Sequence, residues 1–137
     1  MGIAATIQSA LEKQLQTLSG LPPTEYPNVA FEPPSDGSVW CRSTVLPGTP
    51  SIASMGVGGL NYYPGIYQVD VFSPKGKGAG DAETLAESIK ALFARGTTLT
   101  EDGETILCRL SWLAQPIPEE TVWHQPVRVM YETYSSE

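Results

Sequence analysis

Several residue types that would point to a reaction are scarce in this sequence. Its 137 residues include one histidine, His124, and two cysteines, Cys41 and Cys108. Two distant cysteines and one histidine are too few for a zinc site, and no serine or cysteine motif accompanies His124 to make a catalytic triad. We therefore expect no catalytic, cofactor-binding or metal-binding residues. With no secretion signal, both cysteines are expected to be buried thiols rather than a disulfide.

Positive charge and long apolar runs are also scarce. Eight Lys and Arg stand against 15 Asp and Glu, for a net charge of −7, and the densest basic spot is Lys75 with Lys77. Because affinity for nucleic acid comes largely from phosphate neutralisation, a general DNA-binding surface is not expected. No apolar run approaches the roughly 18 residues of a membrane span, and the N-terminal residues lack the regions of a signal peptide. These absences favour synthesis in the cytoplasm and no membrane contact.

The segment from residue 65 to residue 96 carries the clearest local signals. Residues 65–72 alternate, with Tyr67, Val69 and Val71 on one face, which predicts a half-buried strand. Proline and glycines end this strand, and Asp81 suits the N-cap of a following helix. Gly96 suits the left-handed C-cap of that helix. The apolar positions of the helix fall on one face: Leu85, Ala86, Ile89, Leu92 and Phe93.

The glycine-rich connection before this helix has the pattern Gly76-x-Gly78-x-Gly80. It matches neither the phosphate-binding G-x-x-x-x-G-K-[ST] nor G-x-G-x-x-G. Asp81 and Glu83 would also place negative charge where a phosphate would bind. A plain connection between strand and helix is therefore favoured over a phosphate site.

The remaining segments predict one domain of class α+β over residues 1–137. We expect a mixed, mostly antiparallel sheet with two helices packed on one face. Ile106, Cys108, Leu110 and Trp112 are expected to share a face, and Pro126 indicates an edge strand or a bulge. The predicted segments are a helix over Ala4–Leu18, a short edge strand over Val29–Phe31, and strands over Val39–Leu46, Thr105–Trp112 and Trp123–Thr133.

An Asp-Gly pair predicts a hairpin turn over residues 101–104. Its carboxylates, Glu101, Asp102 and Glu104, could be read as acid–base groups. No cleft or burial signal accompanies them to shift a pKa. A solvated turn is therefore the favoured interpretation.

The segment from Pro47 to Tyr63 is unusual because it is rich in glycine and proline yet also apolar. No charged residue occurs between Arg42 and Asp70. Its larger apolar residues are Ile52, Met55, Val57 and Leu60. We predict that the Pro47–Asn61 loop is mobile in the free subunit and becomes ordered only against a partner. The competing interpretation is a loop that folds back over its own sheet and covers Trp40 or Leu46.

These features together resemble a known family. The segment from Gly65 to Gly78 reads GIYQVDVFSPKGKG and is followed by AETLAESI. It resembles the central signature of tail terminator proteins from long-tailed bacteriophages. The order of elements is also similar over about residues 4 to 134: an N-terminal helix, a proline-rich edge, a strand and an uncharged glycine-rich loop precede the signature.

The resemblance implies a structural, non-enzymatic protein of the virion tail, made in the host cytoplasm. Such proteins form a hexameric ring on the tail tube, end tube polymerisation and meet a head-completion (connector) protein, while DNA passes through the lumen without specific binding. In such a ring we expect Lys75 and Lys77 to meet Glu101, Asp102 and Glu104 of a neighbouring subunit, and Ile52, Met55, Val57 and Leu60 to lie at an interface. The alternatives are another head–tail joining subunit, or a small α+β enzyme or binding module.

Overall fold

Two long antiparallel strands form the centre of the fold. The computed structural model describes residues 2–76 and 80–137, and within these ranges the chain forms two helices and eight strands. The helices are α1 (Ile3–Gln16) and α2 (Gly80–Leu92). The strands are β1 (Thr24–Glu25), β2 (Trp40–Pro47), β3 (Ser51–Ile52), β4 (Asn61–Pro74), β5 (Thr98–Glu101), β6 (Glu104–Leu113), β7 (Ile117–Pro118) and β8 (Val122–Ser135).

The strands form one sheet in the order β1-β2-β4-β8-β6-β5, with β3 paired to β4 and β7 paired to β8. Every pair is antiparallel except β1 with β2. The central pair runs in register from Asn61 opposite Ser135 to Pro74 opposite Val122. The prediction of a single α+β domain with a mixed, mostly antiparallel sheet is confirmed.

The core lies between the helices and one face of the sheet. Alternation places Tyr67, Val69 and Val71 of β4 on that face, and all three are fully buried. The two helices share this core and contact each other, since the Gln14 side chain donates a hydrogen bond of 3.0 Å to the carbonyl of Leu92. The buried apolar residues of the helices are Ile7, Ala10, Leu11, Leu15, Ala82, Ala86 and Ile89, and Phe93, directly after α2, is buried with them.

The ends of α2 differ in detail from the expectation. The helix begins at Gly80, so Asp81 lies in its first turn rather than at the N-cap. At the other end α2 stops at Leu92, so the expectation that Gly96 caps the helix is wrong. Gly96 has a φ of +89° but lies in a later turn, which a hydrogen bond from the Thr97 amide to the Ala94 carbonyl closes. The rest of the glycine-rich connection, residues 77–79, lies outside the described residues.

The predicted edge strand over Val29–Phe31 is wrong. The short edge strand is instead β1, which pairs in parallel with Cys41 and Arg42 of β2. Residues 29–31 form an irregular segment after a turn at Asn28, whose φ is +58°. The Phe31 ring still contacts the sheet, with its centroid 5.5 Å from that of Trp40. Phe31 therefore packs against the sheet from an irregular segment and not from a strand.

The expected face of β6 is correct only as far as Cys108. A bulge between Cys108 and Leu110 shifts the register against β8, and the extra residue reverses the alternation beyond it. Leu110 is consequently 49% exposed, while Ser111 is buried on the core face. A local pattern of alternating apolar residues cannot reveal a bulge, because the register is set by the partner strand.

The expectation that Pro126 marks an edge strand or a bulge is also wrong, because β8 pairs with β4 around Pro126 without a shift in register. β8 lies between β4 and β6 in the sheet. The carbonyl of Pro126 accepts a hydrogen bond from the amide of Ala114, one residue beyond the end of β6. In a strand, the N and C=O of one residue point to the same side. The missing N–H of Pro126 therefore faces the point where β6 pairing ends, and its pairing with β4 is undisturbed.

Candidate assembly surface

A short hairpin occupies the segment that the sequence suggested to be a loop. β3 pairs with the start of β4, Ser51 opposite Tyr62 and Ile52 opposite Asn61. Beyond this pair, the amide of Ala53 donates to the carbonyl of Leu60 at 2.8 Å. We call residues 52–60 the hairpin tip.

The apolar side chains of the hairpin tip lie in solvent. Ile52 is 71% exposed, Met55 is 89% exposed and Val57 is fully exposed. The tip does not fold back over the sheet, because Leu46 is itself 46% exposed. Burying a side chain of this size is worth roughly 1.5–3 kcal/mol, so the tip has a clear energetic reason to meet another surface.

An open apolar groove lies beside the base of this hairpin. It has a volume of about 280 Å³ and runs between the first turns of α1 and the ends of β2, β4 and β8. Every residue lining it is uncharged. Ile3, Ile7, Val45, Tyr63 and Tyr131 supply most of its apolar wall.

The acidic turn between β5 and β6 is tied into its own chain. Glu101 pairs with Lys13 of α1 at 2.6 Å and accepts a hydrogen bond of 2.7 Å from Ser9. The Lys13 contact, with Ser9 second, lowers the pKa of Glu101 below its ordinary value. Glu104 accepts a hydrogen bond of 3.0 Å from Ser135. The turn itself has positive φ at Asp102 and Gly103, as the Asp-Gly signal predicts.

The basic spot lies at the other end of the sheet. Lys75 is exposed just after the end of β4, where its amide donates to the carbonyl of Thr121. Glu104 lies near Ser135, which pairs with Asn61 at the opposite end of β4. The two ends of a 14-residue strand are roughly 40 Å apart. One chain therefore does not bring Lys75 to the acidic turn, and Lys77 lies outside the described residues.

A polar network lies on the face of the sheet opposite the helices, and the sequence analysis did not predict it. His124 shares a hydrogen bond of 2.6 Å with the buried carboxylate of Asp70, which also accepts one of 2.8 Å from Gln68. The Gln68 side chain in turn accepts one of 3.1 Å from Arg128. In the sequence, Gln68 and Asp70 alternate with the apolar residues Val69 and Val71, and this pattern indicates a polar face. Pairing with His124 and Arg128 depends on the register of β4 with β8.

Arg42 of β2 lies on the same face of the sheet as Asp70, its partner on β4. Its guanidinium pairs with Glu25 at 2.9 Å and lies 5.0 Å from the centre of the Phe72 ring. Phe72 stacks between Trp40 at 4.2 Å and His124 at 4.5 Å. These contacts join β1, β2, β4 and β8, and we interpret them as structural.

The buried thiols offer little reactivity. Cys41 and Cys108 are both buried and free, as expected. Burial raises the pKa of Cys41 to about 12 and that of Cys108 to about 11, and a thiol must ionise to act as a nucleophile. Within residues 2–76 and 80–137, no three His, Cys, Asp or Glu side chains are grouped to hold a metal ion.

The comparison with known families decides what kind of protein this is. A family model described as phage tail terminator protein matches residues 6–131. This chain belongs to the phage tail terminator family. Membership makes it a structural component of the phage tail and of the virion, in a family that is not enzymatic, and the resemblance read from the sequence is confirmed.

A solved structure is similar to this tail terminator family member over nearly its whole length. The two share 26% identity and a TM-score of 0.73, over 96% of this chain and 92% of the other. No curated protein sequence matches the chain. Among the described residues, neither helix is long and apolar enough to cross a membrane.

Proposed function

We propose that this chain, acting as one tail terminator domain over residues 1–137, forms a ring that caps the phage tail tube. The ring is hexameric, ends polymerisation of the tube protein and joins the tail to the head-completion protein. The observation that carries this proposal is the family match over residues 6–131. The subunit is made in the host cytoplasm and then becomes part of the virion.

The surface of the subunit supports a role in assembly. The hairpin tip leaves Ile52, Met55 and Val57 largely in solvent, as a contact surface does before it meets its partner. The net charge of −7 suits a ring through which DNA passes, because an acidic wall does not retain phosphate. Specific binding of DNA is not part of the proposal.

Opposite charges at the two ends of the sheet support a head-to-tail arrangement. Lys75 lies at one end, and the acidic turn with Glu104 and Asp102 lies at the other. Neighbouring subunits in a ring can bring such ends together even though one chain cannot. We therefore keep Lys75 and Lys77 as partners of the acidic turn of the next subunit. Glu101 contributes less, because Lys13 and Ser9 already engage its carboxylate.

A capping experiment tests the function directly. Purified subunit is added to polymerising tail-tube protein, and tube lengths are measured by electron microscopy while native mass spectrometry gives the oligomer. A tail terminator arrests elongation and forms a hexamer. A different head–tail joining subunit would form a ring yet leave elongation unchanged, which would contradict the proposal.

A further inference from the structure

The hairpin tip and the apolar groove have the same chemical character and belong to the same chain. No charged residue occurs between Arg42 and Asp70, which includes the whole tip, and every residue lining the groove is uncharged. Two copies that each carry a charge of −7 repel one another. A stable contact between copies is therefore best made through uncharged surfaces, and the tip and the groove are such a pair.

The tip of a chain does not fill the groove of the same chain. Met55 is 89% exposed and Val57 is fully exposed, although the groove lies beside the base of their own hairpin. An apolar cavity of about 150 Å³ holds roughly one benzene-sized group. The groove volume of about 280 Å³ thus has room for two side chains such as those of Met55 and Val57.

From this pairing we infer that the hairpin tip of one copy docks in the apolar groove of the next copy. The occupant is a second copy of this chain, and Met55 and Val57 enter between the first turns of α1 and Tyr63. The tip and the groove are different surfaces, so the contact is head-to-tail and can continue around a closed ring. The inference rests on the proposed ring and names the surfaces that hold it together.

Two variants remove one surface each. Met55→Asp with Val57→Asp places charge on the exposed tip, where no native contact is lost. Ala4→Glu places charge at the groove, since exposed Ala4 lines it. The first turn of α1 has no acidic residue, so a glutamate there also complements the helix dipole and should not harm folding. Ala5→Glu is the matched control, because Ala5 is exposed in the same turn but does not line the groove.

Native mass spectrometry of these proteins, alone and mixed, gives the first test. We expect the tip variant and Ala4→Glu each to assemble roughly tenfold or more weakly than the wild type, and Ala5→Glu to assemble normally. Mixing the two defective variants leaves one intact tip and one intact groove per pair. The mixture should therefore form one-to-one heterodimers that grow no further. Rings of normal stability from either variant would overturn the inference.

Cross-linking in the presence of tail tubes gives the second test. A chain with Ala4→Cys and Val57→Cys is treated with a short bismaleimide, and the buried native thiols react little. Covalent ladders are expected, whereas Ala5→Cys with Val57→Cys should give few. The absence of ladders with and without tubes overturns the docking. If the tip variant and Ala4→Glu form rings but no longer cap tail tubes, the tip contacts the tube instead, and the docking is wrong. Ladders from the Ala4→Cys, Val57→Cys chain, together with a failure of the wild type to cap tubes, would contradict the proposed function alone.

Discussion

The ring of Tyr131 lies directly over Gly65, in the space that a side chain at position 65 would occupy. The two residues face each other on β4 and β8, and a Cβ on Gly65 would lie 2.7 Å from Cε2 of Tyr131 and closer still to its hydroxyl. Tyr131 is only 1% exposed and lines the apolar groove. Glycine at 65 therefore lets the sheet carry a tyrosine that shapes the groove.

We expect Gly65→Ala to lower the free energy of unfolding by about 1–3 kcal/mol, as overpacking of a core does. Denaturant unfolding followed by tryptophan fluorescence measures it. Gly80→Ala is the control, since no atom lies within 4 Å of its added Cβ and alanine favours a helix. Tyr131→Leu should offset part of the loss in the double variant. Equal stability of Gly65→Ala and the wild type would mean that Tyr131 moves freely.

Phe93 joins the end of α2 to the sheet. It is fully buried, and its ring centre lies 5.5 Å from that of Tyr67. Phe93→Ala should cost about 3–5 kcal/mol in unfolding free energy, because it leaves a cavity in the core. Leu92→Ala, at a half-buried neighbour, should cost clearly less. A loss under about 1 kcal/mol for Phe93→Ala would contradict its core position.

The contact of Glu101 with Lys13 should make stability depend on acidity. Lys13 first and Ser9 second hold the pKa of Glu101 below the ordinary 4.5. A carboxyl whose pKa is lower in the folded state stabilises the protein fully above its unfolded pKa. That stabilisation is lost as the pH falls through the folded pKa.

The test is to compare the melting temperatures of the wild type and Lys13→Met from neutral pH to about pH 3. The wild type should be slightly more stable at neutral pH, and the difference should shrink as the pH falls below 4.5 and through the lowered pKa of Glu101, where the folded carboxylate takes up its proton. Lys90→Met is the control, since Lys90 pairs with Glu87 only at 3.9 Å between exposed side chains. A difference that stays constant with pH would show that Lys13 acts through packing alone.

Ring formation should be sensitive to salt if the basic and acidic ends of the sheet meet between subunits. Exposed ion pairs are worth about 0–1 kcal/mol each and are screened by salt. Lys75→Glu with Lys77→Glu should weaken the ring at low salt and reverse its dependence on salt, because added salt then screens a repulsion between carboxylates. Lys90→Glu is a control for charge, because Lys90 lies on α2. Indifference of the ring to both salt and the double change would refute this pairing.

The hairpin tip should exchange its amide hydrogens quickly in the free subunit. Residues 55–58 are glycine-rich and lie beyond the hydrogen bond between Ala53 and Leu60. Their exchange should slow in the assembled ring, where the tip becomes ordered. Hydrogen exchange with mass spectrometry on both forms measures this. Protection of these amides in the monomer would contradict a tip ordered by its partner.

Local patterns in the sequence determined the buried faces of the main elements and the positions of several turns. The alternation of Tyr67, Val69 and Val71 follows the two-residue period of a strand, and the apolar face of α2 follows the 3.6-residue period of a helix. Both patterns can be recognised without knowing which surface packs against them. The Asp-Gly turn and Gly96 depend only on which residues tolerate positive φ. The uncharged, apolar character of the hairpin tip can likewise be read directly.

The tertiary structure decided everything that depends on which strands are neighbours. The bulge after Cys108, the central place of Pro126 and the contact of Asp70 with His124 follow from the register of β8 against β6 and β4. The groove has the same origin, because α1, β2, β4 and β8 each supply only part of its wall. Tyr131 can lie over Gly65 only when residues 66 positions apart in the chain become partners. A local sequence pattern does not predict which residues of distant strands become partners, because the packing of the whole sheet selects that pairing.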